Sequence, residues 1–86
     1  MYFVYLLLCA DGSIYTGITT DVKRRLAEHR AGTASKYTRS HGAIRMLYSE
    51  SCGERSTALR RESQIKKWNR QKKLALVRQK RRTLPR

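Results

Sequence analysis

Acidic residues are scarce in this chain. Six Asp and Glu stand against 20 Lys and Arg in 86 residues, a formal charge of +14. Such a surplus repels itself and costs stability, so the shortage of acid points to a polyanionic partner, nucleic acid before membrane. Cysteine is almost as rare. Cys9 and Cys52 have neither paired-ligand spacing nor a repeating framework, which excludes a disulfide scaffold and a cysteine zinc site. They read as reduced thiols of a cytoplasmic protein. Long apolar runs are missing too. The stretch from Tyr2 to Ala10 stops far short of a bilayer span and has no basic segment before it, so neither a membrane anchor nor a signal sequence is expected. There is no internal repeat and no low-complexity linker. A chain of this length buries only about 60% of its unfolded surface, so the core must be thin. One domain is expected over residues 1–80, followed by a frayed basic tail, 81–86.

The hydrophobic pattern that is present outlines the fold. Residues 2–9 are continuously apolar and rich in aromatic and branched types, as in a strand covered on both faces. Asp11-Gly12-Ser13 gives a tight reversal, and residues 14–19 form the returning strand. Gly17 weakens that strand unless another group approaches its backbone closely. Thr20 or Asp21 caps a helix running to Ala31, stopped by Gly32, with Val22 and Leu26 as its buried stripe. Residues 33–42 are polar and read as a loop or a short helical turn. Residues 44–49 make a third strand. From Ser56 the spacing of Ala58, Leu59, Ile65 and Trp68 is helical, and Asn69 caps a last helix carrying Leu74, Leu76 and Val77. The expected class is α+β: a three-stranded, mostly antiparallel sheet flanked by helices in the order β-β-α-β-α-α.

Glu62 is the first residue that packing does not account for. From Arg55 onward it is the single acid among thirteen Lys and Arg. It lies three positions after Leu59 and three before Ile65, on the apolar side of its helix. Either a neighbouring Arg pairs with it, or it is a ligand for Mg²⁺, which takes one or two hard carboxylates and completes its shell with water and phosphate. Tyr5 and Tyr15 lie on the two strands of the hairpin and taken alone could simply fill the core. Arg25 and His29, four apart, share one side of the first helix, where each could be a solvated charge.

Taken together, the order and spacing of these residues are more specific. Phe3-Val4-Tyr5, then Tyr15-Thr16-Gly17, then Arg25 with His29, then Glu62, resembles the GIY-YIG nuclease superfamily. The similarity is greatest to its small stand-alone bacterial members, of UPF0213 type, through Val4-Tyr5-Leu6-Leu7, Tyr15-Thr16-Gly17-Ile18-Thr19, Asp21-Val22, Arg24-Arg25, Lys36-Tyr37-Thr38 and Glu62 with Ile65-Lys66. It extends from residue 2 to about 77. Phe3-Val4 replaces Gly-Ile of the first signature, Ile18 stands where repair-incision members often have lysine, and Leu74 lies near the position of a frequent asparagine.

The resemblance implies hydrolysis of phosphodiester bonds in DNA, dependent on Mg²⁺ or Mn²⁺. It makes Glu62 the metal ligand and Arg25 the fork that grips the scissile phosphate. The base that activates water would be Tyr5 or Tyr15, its pKa lowered by the surrounding cations, with His29 in reserve. Substrate grip would come from Lys36, Tyr37 and Arg39, with Tyr37 stacking an unpaired base, and from Lys66, Lys67, Arg70, Lys72 and Lys73 along the backbone. Single-stranded or branched DNA is the expected partner, and RNA is compatible. Nothing in the chain decides between monomer, dimer and a protein partner. DNA repair, recombination or limiting DNA uptake would all suit such an activity. The alternative is a basic nucleic-acid-binding module without catalysis, which would explain the charge but not the ordered Tyr-Tyr-Arg-His-Glu set.

Overall fold

A computed structural model describes the backbone of residues 1–83 and the side chains of residues 1–80. Strands β1 (Tyr2–Cys9) and β2 (Ile14–Thr19) form the hairpin, followed by helices α1 (Val22–Ala31) and α2 (Lys36–His41). Strand β3 (Ala43–Gly53) and helices α3 (Arg55–Lys66) and α4 (Arg70–Thr83) complete the order. Helix α4 covers residues 81–83 of the segment expected to be a basic tail, and the remainder of that segment lies outside the described residues.

The hairpin closes through its turn residues. The Ser13 backbone N–H and hydroxyl both donate to Asp11 Oδ1, at 3.0 and 2.6 Å. Gly12 takes φ 85°, which a side chain would oppose. The sheet is antiparallel throughout, in the order β2-β1-β3. Central β1 is therefore covered on both faces, which is why its sequence does not alternate. Val4 and Leu6 meet Ala58, Ile65 and Val77 in the core beneath α3 and α4. Each of the buried Val, Leu and Ile side chains there contributes roughly 1.5–3 kcal/mol. Alternation turns Tyr5, Leu7 and Cys9 to the other face, where α1 and α2 lie.

The helix ends follow the sequence signals. Asp21 accepts from the Arg24 N–H at 3.0 Å, and Gly32 ends α1 at φ 79°. Asn69 Oδ1 accepts from the Lys72 N–H at 2.9 Å at the start of α4. Three expectations change. The buried side chain of α1 is His29, while Val22 and Leu26 are half-buried. The polar segment after Gly32 holds a true helix, α2, capped by the Ser35 hydroxyl on the Thr38 N–H at 3.1 Å. Strand β3 runs to Gly53 instead of Ser49, because its polar second half still pairs with Tyr2, Phe3 and Val4. Among the described residues no helix is long and apolar enough to cross a membrane. Both cysteines are free thiols.

Candidate active site

Gly17 sits directly opposite Tyr5 in the hairpin register. A Cβ on Gly17 would come within 2.5 Å of the Tyr5 hydroxyl oxygen. Glycine therefore lets the Tyr5 ring lie across β2, the close approach that its place in a strand demanded. From there the hydroxyl reaches His29 Nε2 at 2.7 Å, and His29 Nδ1 reaches Thr38 Oγ1 at 2.7 Å. Tyr5, His29 and Thr38 are all essentially inaccessible to solvent.

Burial sets the protonation of this chain of groups. It pushes the Tyr5 phenol up to about 12, against the pull of the neighbouring Arg25 guanidinium. It pushes the His29 imidazole down, and Arg25 adds to that. Tyr5 is thus a protonated donor and His29 a neutral acceptor at Nε2. The imidazole proton then lies on Nδ1 and is donated to Thr38, whose hydroxyl turns to the Ser35 carbonyl at 3.4 Å. This corrects one expectation: the neighbouring Arg25 does pull the Tyr5 pKa down, but desolvation outweighs it and the net shift is upward.

Arg25 lies one turn before His29 on α1. It stands near enough to the Tyr5 hydroxyl for hydrogen bonding between the two to raise the Arg25 pKa and pull on that of Tyr5. Its Nη1 pairs with Glu28 Oε1 at 3.2 Å. Its Nε is buried with no partner among the described residues. An unpaired buried N–H costs about 1–3 kcal/mol, while the Arg25 side chain as a whole stays 31% exposed. Glu62 projects from α3, its side chain 17% exposed, with Lys66 Nζ 3.6 Å away. The Glu62 charge also adds slightly to the upward shift of Tyr5. Its partner is thus Lys66, not the arginine that spacing suggested. No group of three or more His, Cys, Asp or Glu among the described residues could hold a metal ion. One carboxylate suits Mg²⁺, which keeps several waters and shares substrate phosphate.

The remaining candidates fall around this centre. The Tyr15 ring lies 5.2 Å from His29, 6.3 Å from Tyr5 and 5.8 Å from Tyr37. Lys36, Tyr37 and Arg39 are exposed on α2. The basic set of α3 and α4 is not a uniformly solvated face. Lys66 holds Glu62, Lys72 stands over the Trp68 ring at 4.6 Å, and half-buried Lys73 donates to the Ile14 carbonyl at 3.3 Å. Lys67 and Arg70 are exposed. Sequence reasoning missed Glu28, and it noted Thr38 only as part of Lys36-Tyr37-Thr38, with no role at the site. The three-residue step from Arg25 to Glu28 was a usable signal; for Thr38 the motif match was one, but nothing tied it to His29, nine residues away.

The model of the GIY-YIG catalytic domain matches residues 1–75. The chain belongs to the GIY-YIG family. Among its relatives is a UPF0213 protein of Halobacterium salinarum, 49% identical over 76 residues, covering 88% of this chain and 99% of the relative. A UPF0213 protein of Streptococcus agalactiae is 46% identical over 77 residues, covering 90% and 88%. The solution NMR structure of a UPF0213 protein from Bacillus halodurans matches with a TM-score of 0.58 at 43% identity, over 93% of this chain and 86% of that one. The GIY-YIG superfamily is one of endonucleases, and its domains act on nucleic acids. In this member the signature positions are Phe3-Val4-Tyr5 and Tyr15-Thr16-Gly17, and the pairing of Tyr5 with Gly17 explains why both signatures sit on one hairpin.

Proposed function

We propose that this GIY-YIG protein is a Mg²⁺- or Mn²⁺-dependent endonuclease that hydrolyses phosphodiester bonds in single-stranded or branched DNA. The observation that carries this reading is the buried Tyr5–His29–Thr38 relay, with the unpaired Nε of Arg25 beside it.

A phenol held near 12 is a poor base by itself. Coupled to a neutral imidazole it does not need to ionise first. Tyr5 is closed to solvent in this packing, so the attacking water reaches its oxygen once Tyr15, which leans on both Tyr5 and His29, shifts aside as DNA binds. There the water gives a proton to Tyr5 as Tyr5 passes its own to His29 Nε2. The water oxygen forms a bond to phosphorus, the bond to the 3′ oxygen breaks, and that oxygen takes a proton from solvent. His29 becomes imidazolium, with Nδ1–H still donated to Thr38. Arg25 offers its partly exposed guanidinium to the phosphate as charge builds on the non-bridging oxygens, which a planar fork stabilises better than an ammonium. Glu62 would hold the metal ion, which when bound with the substrate phosphate would neutralise further negative charge. Tyr15, packed on His29, would line the approach of the water.

The test is cutting of labelled single-stranded, duplex and branched DNA by the pure protein, in Mg²⁺ and in EDTA, beside Arg25→Ala and His29→Gln. Cutting in Mg²⁺ that both variants lose, with DNA binding retained, is the expected result. Tight binding with no cutting of any substrate would contradict it and leave a binding module.

A further inference from the structure

The rings of the site form one connected series that leads out of the core. Tyr5 and Tyr15 each meet His29 edge-on, at 5.7 and 5.2 Å. Tyr15 leans on Tyr37 at 5.8 Å, and Tyr37 lies flat on His41 at 3.9 Å with the planes 9° apart. Exposure rises along the series, from nothing at Tyr5 to 40% at Tyr37. Tyr37 therefore does not stand free to take a base, as its place in a basic segment suggested. The face-to-face position on its ring is already filled by His41.

We propose that the outer face of His41 is the stacking platform for an unpaired base of the bound DNA strand, so that the preferred substrate presents a splayed or flapped nucleotide. The choice of DNA as ligand rests on the nuclease reading above.

His41 is built as a fixed surface. Its Nδ1–H donates to the Tyr37 carbonyl at 2.7 Å, and its Nε2 faces Asp11 Oδ2 at 3.6 Å. Asp11 is itself held by two donations from Ser13. The backbone beside the ring is tied to the hairpin, because the Ala10 N–H lies 3.0 Å from the His41 carbonyl and 2.7 Å from that of Gly42. A ring anchored at Nδ1 and stacked on a neighbour loses little freedom on binding. Its side chain is 35% exposed, with Tyr37 stacked on one face of the ring. Lys36 and Arg39, exposed on the same short helix, supply cations for the flanking phosphates. A paired base is already stacked on both sides within its duplex, whereas an unpaired one has a face to offer.

The test uses the full chain in EDTA, so that cutting cannot enter, and a single-stranded oligonucleotide carrying 2-aminopurine. Stacking quenches this base. Wild-type protein is expected to quench it. His41→Leu, which keeps bulk but has no ring, should lose the quench and bind about tenfold more weakly. His41→Phe should keep both. A duplex with the 2-aminopurine paired should show no quench and no difference between wild type and His41→Leu. Quenching and affinity unchanged in His41→Leu would overturn the proposal, and so would equal weakening on single strand and duplex. Circular dichroism melts identify a variant that fails to fold, and His41→Phe then decides. Quenching by a protein that never cuts in Mg²⁺ would defeat the nuclease reading and leave the platform standing.

Discussion

Replacing Gly17 with alanine would put a methyl group where the Tyr5 hydroxyl already lies. The new Cβ would stand 2.5 Å from the hydroxyl oxygen and 2.7 Å from Cζ, against about 3.5–4 Å for an unstrained contact. Tyr5 would have to withdraw by roughly 1 Å. It cannot do so freely, being fully buried and bound to His29 at 2.7 Å. Overpacking of this kind costs about 1–3 kcal/mol, of which alanine's advantage over glycine in a strand returns about 0.5–1 kcal/mol. The net expectation is a loss of about 1–2 kcal/mol in urea unfolding, with cutting down by about a hundredfold or more as the relay is displaced. The decisive background is Tyr5→Leu, which removes the hydroxyl and Cζ. There Gly17→Ala should cost nothing or stabilise slightly, a coupling of at least about 1 kcal/mol. Equal losses in both backgrounds would refute the argument that Gly17 exists to admit Tyr5.

Arg25→Lys should lower the cutting rate by about 10²–10³-fold while leaving DNA affinity within about threefold, as seen in single-turnover rates beside equilibrium binding. For His29 the folded pKa lies below the ordinary value of 6.5. The unfolded chain then takes up the proton first, so the stability gained from a neutral His29 is complete above pH 6.5 and is lost as pH falls below it. Urea midpoints should drop over that range, and the drop should shrink in His29→Gln; carboxylates such as Asp11 and Glu50, held below their usual values, act at lower pH. Binding of single-stranded DNA should weaken steeply with salt. Lys36→Ala with Arg39→Ala should reduce the slope of log K against log salt by about 1.4, since each phosphate contact contributes about 0.7.

The hairpin was legible because its signals are local: a continuous apolar run, Asp11-Gly12 at the turn and a strand glycine with a reason to be there. Both ends of α1 and the start of α4 were legible for the same reason, since each cap lies beside the backbone it satisfies. Strand β3 was read too short because its far half, Glu50 to Gly53, is polar and is held by pairing to residues nearly fifty positions away. The site was legible as a set of residues but not as a mechanism. Arg25 and His29 looked like solvated charges on a helix of low hydrophobicity. Only the packing of α1 on the sheet buries His29, and only Thr38, contributed by a helix the pattern left undecided, satisfies its second nitrogen. Burial also reverses the direction expected for Tyr5, which no count of nearby cations could show.

Glu62 is a lone, half-buried acid in a basic helix, with Lys66 as its ion-pair partner. The direct measurement compares wild type with Glu62→Ala on labelled single-stranded and branched DNA across a Mg²⁺ titration, with EDTA as the blank. Cutting that rises with Mg²⁺ in wild type and is absent from a folded, DNA-binding Glu62→Ala is the expected result. Cutting by Glu62→Ala at the wild-type rate, or cutting by either protein in EDTA, would contradict it.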